Sequence, residues 1–539
     1  MPGPDLDRFT SRRSTVYGSK GVVATSQPLA AAAGVDLLRQ GGNAFDAAVA
    51  TAAALNVVEP MSTGLGGDVF ALYRTADGEV GALRSCGGAP AAATIDAVRE
   101  AVAADDPDDE EVAMPHTGPH TVTVPGTARG WETTVEGFGR RTLADCLAPA
   151  VRYAKEGYPV SEVVAAQWEP AADLFTDDNA REAYLLDGRT PRVGEHVRLP
   201  ALGRTLERLG QEGADVVYEG AVGEAIVDAV QSNGGLLSMD DLADFEPEFV
   251  DPVSTTYGGC EVYELPPNNQ GLVALEALNV ASEVGVPAAS GVERTHLLAE
   301  ALKLAFHDGH RYITDPDYEE IPPLNSPEWA ARRAREVGDE ANRDASFGVL
   351  DSHAEDADTV LLCVADDEGN VVSYINSIFK GFGSGLVAGD TGITLQNRGS
   401  SFSLDPTHPN RLEPGKRPFH TLIPGLLDFA PDGGADDWAA FGVMGGYMQP
   451  QGHVQVVSNL VDRDLPIQRA LDEPRWRYRE DGTLAVEERL PGATKLARRG
   501  HDVRVLPPSF FGGAQLARNR DGTLSGATEP RKDGAVAPY

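Results

Sequence analysis

Thr359 opens the stretch "TVLLCVADDEGNVVSYINS", directly after the acidic, aperiodic run "REVGDEANRDASFGVLDSHAEDAD" that ends at Asp358. A β-branched residue at the start of an apolar run is an ordinary strand beginning, and that is the default for a threonine met at random. A second chemistry is open to this one. If the Asp358–Thr359 bond is cut, Thr359 gains a free α-amine with an unperturbed pKa of about 7.7–8.0, within reach of its own hydroxyl. Nucleophile and general base then belong to one residue, the N-terminal-threonine form of covalent catalysis. Before the cut the hydroxyl lacks that base, so activity waits on processing.

The flanking residues must place such a threonine. "TVLLCVA" is apolar at nearly every position, as for a strand covered on both faces. "VVSYINS" is its return strand, and a loop of Asp367, Glu368 and Gly369, with Gly369 left-handed, closes the hairpin. That register pairs Asp366 with Asn370 and sets Thr359 opposite Ser377. Directly opposed residues have Cβ atoms about 4.5–5.5 Å apart, so two hydroxyls meet at the open end. A slip of one residue would send them to opposite faces. The reaction also needs donors for an oxyanion. Gly445 and Gly446, in "FGVMGGYMQPQGH", can turn two backbone N–H groups toward one, although a Gly-Gly pair also makes a plain turn or helix entry.

Composition narrows the partners. The chain has 539 residues, 42% hydrophobic and 24% charged, which is globular, and its net charge of −37 argues against nucleic acid or an anionic membrane. Only seven of the 45 basic residues are Lys. A surface rich in Asp and Glu suits a cytosol of high salt, where screening removes self-repulsion, so the chain reads as halophilic. The opening "MPGPDLDRFTSRR" lacks an apolar core segment, and the longest uncharged apolar run, Ala47 to Val58, is too short to cross a bilayer. Cys86, Cys146, Cys260 and Cys363 are far apart with no CxxC pair, so a disulfide framework, a zinc site or another cofactor is not expected and a cytoplasmic location is.

Two Ala-rich helices are expected early, the first capped by Ser26 with Pro28 in its opening turn, the second capped by Asn43 and closed by Glu59-Pro60. Both are apolar nearly all round and should be buried between layers. The glycines of "TGLGGDVFALYR" precede a strand rather than open a helix, which excludes dinucleotide and P-loop readings. "TLADCLAPAVRYAKEGYPVS" and "ERTHLLAEALKLAFHDGHRYI" read as amphipathic helices, "DDPDDEE" and residues 335–358 as exposed loops, and the chain after Thr359 as strand-rich with helices near 453–471 and 491–500.

In order and spacing these motifs resemble the γ-glutamyltranspeptidase family of N-terminal nucleophile hydrolases over nearly the whole chain. The resemblance runs through "GGNAFDAAVATAAALNVVEP", "GLGGDVF", "VPGTARGW", "GGLLSMDDLADF", "YELPPNNQG", the Thr359 hairpin, "FGSGLVAGDTGITLQN", "GKRPFHTLIP", "MGGYMQPQGH" and "EPRKDG". It implies an α/β fold, a four-layer αββα sandwich. It implies autocatalytic cleavage before Thr359, giving segments 1–358 and 359–539 that stay together as one folded unit. It further implies Thr359 as nucleophile, Ser377 as the supporting hydroxyl, and Gly445 with Gly446 as the oxyanion hole.

The departures bear on substrate. Where γ-glutamyl enzymes of the family place an Arg for the substrate α-carboxylate, "RSCGGAP" has Cys86, with Arg84 two residues away and read as out of phase. Where they place an acid for the α-ammonium, "LQNRGSSF" has Ser401 and adds Arg398 beside Asn397. An Asn after the second hydroxyl becomes Phe379, and a pair of serines becomes His420 and Thr421. The pattern is closer to the family's amidohydrolase and acylase branch. The expected substrate is therefore a small amide whose acyl group ends in a carboxylate, held by Arg398 with Asn397, Ser401, His420, Thr421 and Arg84 as further candidates. γ-Glutamyl transfer is one alternative, and an uncleaved, non-catalytic binding protein is another. His307 and His310 are read as a helix-end surface pair rather than metal ligands, and Cys363 as inert core. Homo-oligomer formation is left open.

Overall fold

The computed structural model describes residues 13–105, 113–342 and 359–539. Two seven-stranded antiparallel sheets lie face to face. The first runs, in spatial order, Ala535–Pro538, Gly21–Thr25, Val360–Asp366, Val371–Ser377, Asp68–Arg74, Val80–Ser85 and Glu248–Val250. The second runs Val16–Gly18, Thr523–Thr528, Gly513–Arg520, Asp437–Met444, Gly425–Asp428, Cys260–Glu264 and Val253–Tyr257.

Period-two alternation assigns the layers. Leu361, Cys363 and Ala365 pack between the sheets against Leu426, Ala440 and Ala517. Val360, Leu362 and Val364 point the other way, into a core shared with the helices Pro28–Arg39 and Ala44–Val58. On the far side of the second sheet, Leu427, Phe441 and Leu516 meet the helices Gly271–Glu283, Gly291–Tyr312 and Met448–Val461. The result is the helix–sheet–sheet–helix sandwich expected. Each fully buried Leu or Val contributes roughly 1.5–3 kcal/mol, and both faces of the central strands gain it. Both sheets contain strands from either side of Thr359, so neither segment has a complete sheet of its own.

The hairpin forms in the expected register: Val360 faces Asn376, the ladder runs to Ala365 facing Val371, and Gly369 takes φ +103°. The helix Ala44–Val58 is buried along its whole length and capped by Asn43, whose side chain accepts from the N–H groups of Phe45 and Asp46. The first helix departs from expectation at its cap. Gln27, not Ser26, accepts from the Leu29 N–H, because the Ser26 hydroxyl is drawn to Glu59, donating to Oε1 at 2.7 Å. The helices over 142–161 and 293–313 are found as Leu143–Glu156 and Gly291–Tyr312. Those near 453–471 and 491–500 are found as Met448–Val461, Ile467–Asp472 and Ala493–Arg498. Residues 343–358 and the body of "DDPDDEE" lie outside the described residues. Among the described residues no helix is long and apolar enough to cross a membrane.

Candidate active site

Strand pairing builds a row of side chains across the first sheet. Val360 pairs with Asn376 and Ser377 with Asp68, so Thr359, Ser377 and Asp68 follow one another on the face turned toward the second sheet. Val69 pairs with Ser85, which carries the row on to Cys86. Thr359 and Ser377 are buried, and the Thr359 hydroxyl lies 3.3 Å from Ser377 Oγ. Ser377 Oγ also accepts from the Phe379 N–H at 2.8 Å, which fixes the serine's rotamer. Gly67, just before Asp68, has no room for a side chain, since a Cβ there would lie 2.3 Å from the Ser377 carbonyl oxygen. Asp358 lies outside the described residues.

Gly445 and Gly446 connect the strand Asp437–Met444 to the helix Met448–Val461, at φ +116° and +56°, conformations that favour glycine. Their carbonyls are occupied: Gly445 O accepts from Met448 N–H, and Gly446 O from Gln449 N–H and from Gln270 Nε2 at 3.0 Å. Among the described residues neither N–H group finds an acceptor. Gln270 Nε2 also donates to the Thr421 carbonyl at 2.7 Å, and Asn268 and Asn269 donate to the carbonyls of Pro418 and Leu422. The "PPNNQG" stretch thus laces the 418–422 segment to the glycine turn, a positioning role that its sequence did not announce.

Asp68 is the acid that the sequence reading missed. Gln396 Nε2 and the Gly126 N–H donate to its Oδ1, and His420 Nε2 to its Oδ2 at 3.1 Å. His420 Nδ1 accepts from the Leu422 N–H, so the ring proton is on Nε2. Burial pushes Asp68 up to about 7, opposed by the charge of Arg398 and the bonds from Gln396 and Gly126. Burial, then the same arginine, holds His420 well below the usual histidine range and keeps it neutral. The signal for Asp68 was an acid set in a glycine-rich strand entry, "GLGGDVF".

Arg398 is wholly buried, and burial pulls it down to about 10. Its Nη1 donates to Thr421 Oγ1 at 2.9 Å, while Nε and Nη2 find no partner among the described residues. The guanidinium carbon lies 4.1 Å from the centroid of the Phe379 ring, and Phe379 sits at φ +81°, a strained conformation for a bulky residue. Most of the residues that depart from the γ-glutamyl pattern therefore meet: Phe379 underlies Arg398, Thr421 bonds it, His420 bonds Asp68, and Cys86 ends the row.

The other candidates fall elsewhere. Ser401 closes the short turn Arg398–Ser401, its carbonyl accepting from Asn410 Nδ2. Asn397 ties loops together, donating to the His116 carbonyl and accepting from the Lys380 N–H. Arg84 shares the face of Cys86, since two residues along a strand return to the same side. Its guanidinium is engaged by Glu248 at 2.9 and 2.6 Å and by the Pro267 carbonyl, which commits it to structure. His310 is not a surface residue. It is buried with its ring against Phe306, Phe419 and Tyr447. Cys363 lies in the inter-sheet core, where burial pushes its thiol up. His296, Glu300 and His501 bring possible metal-ligand atoms within 4.8 Å of one another. Lys303 Nζ and the Asn342 N–H occupy the two oxygens of Glu300, and an ammonium there opposes a second cation.

The family model for gamma-glutamyltranspeptidase matches residues 30–539. A glutathione hydrolase-like proenzyme of Bacillus subtilis is 36% identical over 97% of this chain and 99% of its own length. An oxamate amidohydrolase proenzyme of Klebsiella pneumoniae is 33% identical over 98% of this chain and 100% of its own length. The crystal structure of a cephalosporin acylase from Bacillus halodurans superposes with a TM-score of 0.89 at 43% identity, covering 100% of this chain and 99% of that one.

Proposed function

The chain belongs to the gamma-glutamyltranspeptidase family, on its amidohydrolase and acylase side, and from that premise we propose that it is a self-processing amidase for small acyl groups ending in a carboxylate. The uncleaved binding-protein alternative falls away with the family assignment.

In this reading the Thr359 hydroxyl first attacks the Asp358 carbonyl, the Thr359 nitrogen leaves as an amine, and water cleaves the resulting ester. The segments 1–358 and 359–539 then remain one folded unit, a reading supported by the strands that both contribute to each sheet. In turnover the freed amine takes the hydroxyl proton as Oγ1 attacks a substrate amide. The N–H groups of Gly445 and Gly446 hold the oxyanion, and a preorganised donor of this kind is worth roughly 2.7–4 kcal/mol. Collapse expels the substrate amine, which leaves with the proton, and water or another amine resolves the acyl-enzyme. Ser377 orients Oγ1 throughout.

Arg398 carries the substrate assignment. A buried guanidinium with two nitrogens unpartnered among the described residues is unfavourable until an anion arrives, and a carboxylate matches its fork. Thr421, Phe379 and His420 shape that pocket. Oxamate, in the name of one relative, is itself the monoamide of a dicarboxylic acid. The second reading is γ-glutamyl transfer, favoured by the Asp68 carboxylate, which could meet an α-ammonium.

Matched dicarboxylic amides with and without an α-amine, assayed on wild type and Arg398→Ala, separate the two. The proposal expects the amine-free amide to have the higher specificity constant and to lose it on Arg398→Ala. A higher constant for the γ-glutamyl amide, with both rates indifferent to Arg398→Ala, would reject it. The net charge of −37 supports, in the same proposal, a salt-rich cytoplasm as its setting.

A further inference from the structure

Asp68 borders the acyl pocket, and no step of the amidase reading uses it. It is fully buried, and among the described residues every bond its carboxyl accepts comes from a neutral donor. Gln396 Nε2 and the Gly126 N–H donate to Oδ1, and His420 Nε2 to Oδ2. Oδ1 is filled by its two donors, so a proton bound to Asp68 sits on Oδ2, where it leaves the His420 bond in place. Arg398 is the charge that acts most on Asp68, yet the two form no ion pair among the described residues: Nη1 goes to Thr421, and the other two guanidinium nitrogens stay unpartnered there. Cys86 and Tyr218 also feel Asp68. Burial lifts both, Cys86 to about 12, so both keep their protons where Asp68 titrates, and His420 stays neutral. The α-amine that cleavage frees at Thr359 is two strands along the row.

A charge count fixes what a ligand does here. With Asp68 ionised, the empty pocket holds one cation and one anion. A substrate carboxylate on Arg398 adds a second anion to a buried site, and a like charge nearby disfavours the ionised form of Asp68. One proton taken from solvent restores neutrality, and Oδ2 is where it binds. An α-ammonium has the opposite need, since it requires Asp68 as the anion. We propose that Asp68 decides acyl specificity through this proton: a carboxylate-bearing acyl group without an α-amine enters with Asp68 protonated, and an α-ammonium enters with Asp68 ionised. The proposal rests on the assignment of Arg398 above. Burial sets Asp68 at about 7, so the two kinds of ligand differ on either side of that pH. Above it the amine-free ligand takes up a proton and the α-amino ligand takes up none. Below it the α-amino ligand releases a proton and the amine-free ligand releases none.

Glutarate and its 2-amino counterpart glutamate are products in the two readings and are not consumed. Calorimetric titration of each onto the protein, in buffers of different ionisation enthalpy, counts the protons exchanged. At about pH 8 glutarate should take up roughly one proton more than glutamate. At about pH 6 glutamate should release roughly one proton while glutarate exchanges almost none. The freed α-amine meets the same pair of carboxylates in both ligands, so its share cancels in the difference. In turnover, kcat/KM of an amine-free amide relative to its γ-glutamyl counterpart should fall about tenfold per pH unit between about 6 and 8. Asp68→Asn should make the proton counts equal and the ratio independent of pH; the wild-type counts decide the matter where that variant does not fold. Arg398→Ala keeps two failures apart. If glutarate binding depends on Arg398 but both ligands exchange equal protons at both pH values, the Arg398 assignment stands and that of Asp68 is overturned. If the counts differ as stated and survive Arg398→Ala, Asp68 keeps its role and Arg398 loses its own. Glutarate that binds at neither pH overturns both.

Discussion

Arg417 and Arg398 are both buried, and they are buried differently. Arg417 donates to Asp315 through Nε and Nη2, to Asp317 at 2.5 Å, and to Glu248 through Nη1 at 2.9 Å. Burial draws its pKa down, but Asp315, Cys86 and Glu248 outweigh that and raise it. Arg398 has one neutral hydroxyl and an aromatic ring, with two nitrogens unpartnered among the described residues. A saturated buried cation belongs to the structure. An unsaturated one leaves an unfavourable charge that a ligand can relieve. The same contrast removes Arg84 from the substrate pocket, because Glu248 already holds it.

The comparison breaks most visibly on stability. Arg417→Ala strands Asp315 in the interior and should cost about 3–5 kcal/mol, read as a fall in the denaturation midpoint. Arg398→Ala should leave that midpoint unchanged or raise it. Its own effect should appear in turnover: kcat/KM for a carboxylate-bearing acyl amide should drop roughly 100-fold, about 2.7 kcal/mol, while an uncharged acyl amide is spared. Equal destabilisation by the two substitutions would erase the distinction.

Asp68 sharpens the comparison by pH. Burial raises the carboxyl from its ordinary 3.8 to about 7 in the fold, so its protonated form stabilises the fold. That contribution is complete below about 4 and is lost as pH rises through about 7. The melting temperature of wild type relative to Asp68→Asn should therefore fall across this window. A pH-independent difference would show that Asp68 is not held protonated. Ser377→Ala should slow both processing and turnover, and it should cost about 0.5–1.5 kcal/mol of stability for each of the bonds lost to the Thr359 hydroxyl and the Phe379 N–H. Unchanged rates would remove Ser377 from the site. Salt should have the smallest effect on the buried arginines and act on the surface instead. Lowering ionic strength from 1 M to 0.1 M lengthens screening from about 3 Å to about 10 Å, and the melting temperature should fall. A flat profile would contradict the halophilic assignment.

Local chemistry made the Thr359 hairpin legible: a short loop, Gly369 at positive φ, and two apolar runs leave one register that pairs Thr359 with Ser377. Asp68 was not legible because its place in the row depends on which distant strand lies beside Val371–Ser377, and apolar pattern does not choose among strands. Ser26 had the composition of a cap but lost the role to Gln27, through a bond to Glu59 at the far end of the next helix. His310 read as a surface histidine because its helix ends nearby, yet the segment bearing Tyr447 folds over it. In each case the residue type was plain, and a contact made across the fold set its role.

The central claim is that Thr359 becomes an N-terminal nucleophile by its own chemistry. Intact-mass measurement on purified wild type and Thr359→Ala, after incubation in high salt, tests it most directly. Wild type should resolve into two fragments, the smaller beginning at Thr359 and gaining the mass of an acyl group when a slow amide is added, while Thr359→Ala should remain one chain. Cleavage of the alanine variant at the same bond would contradict the account.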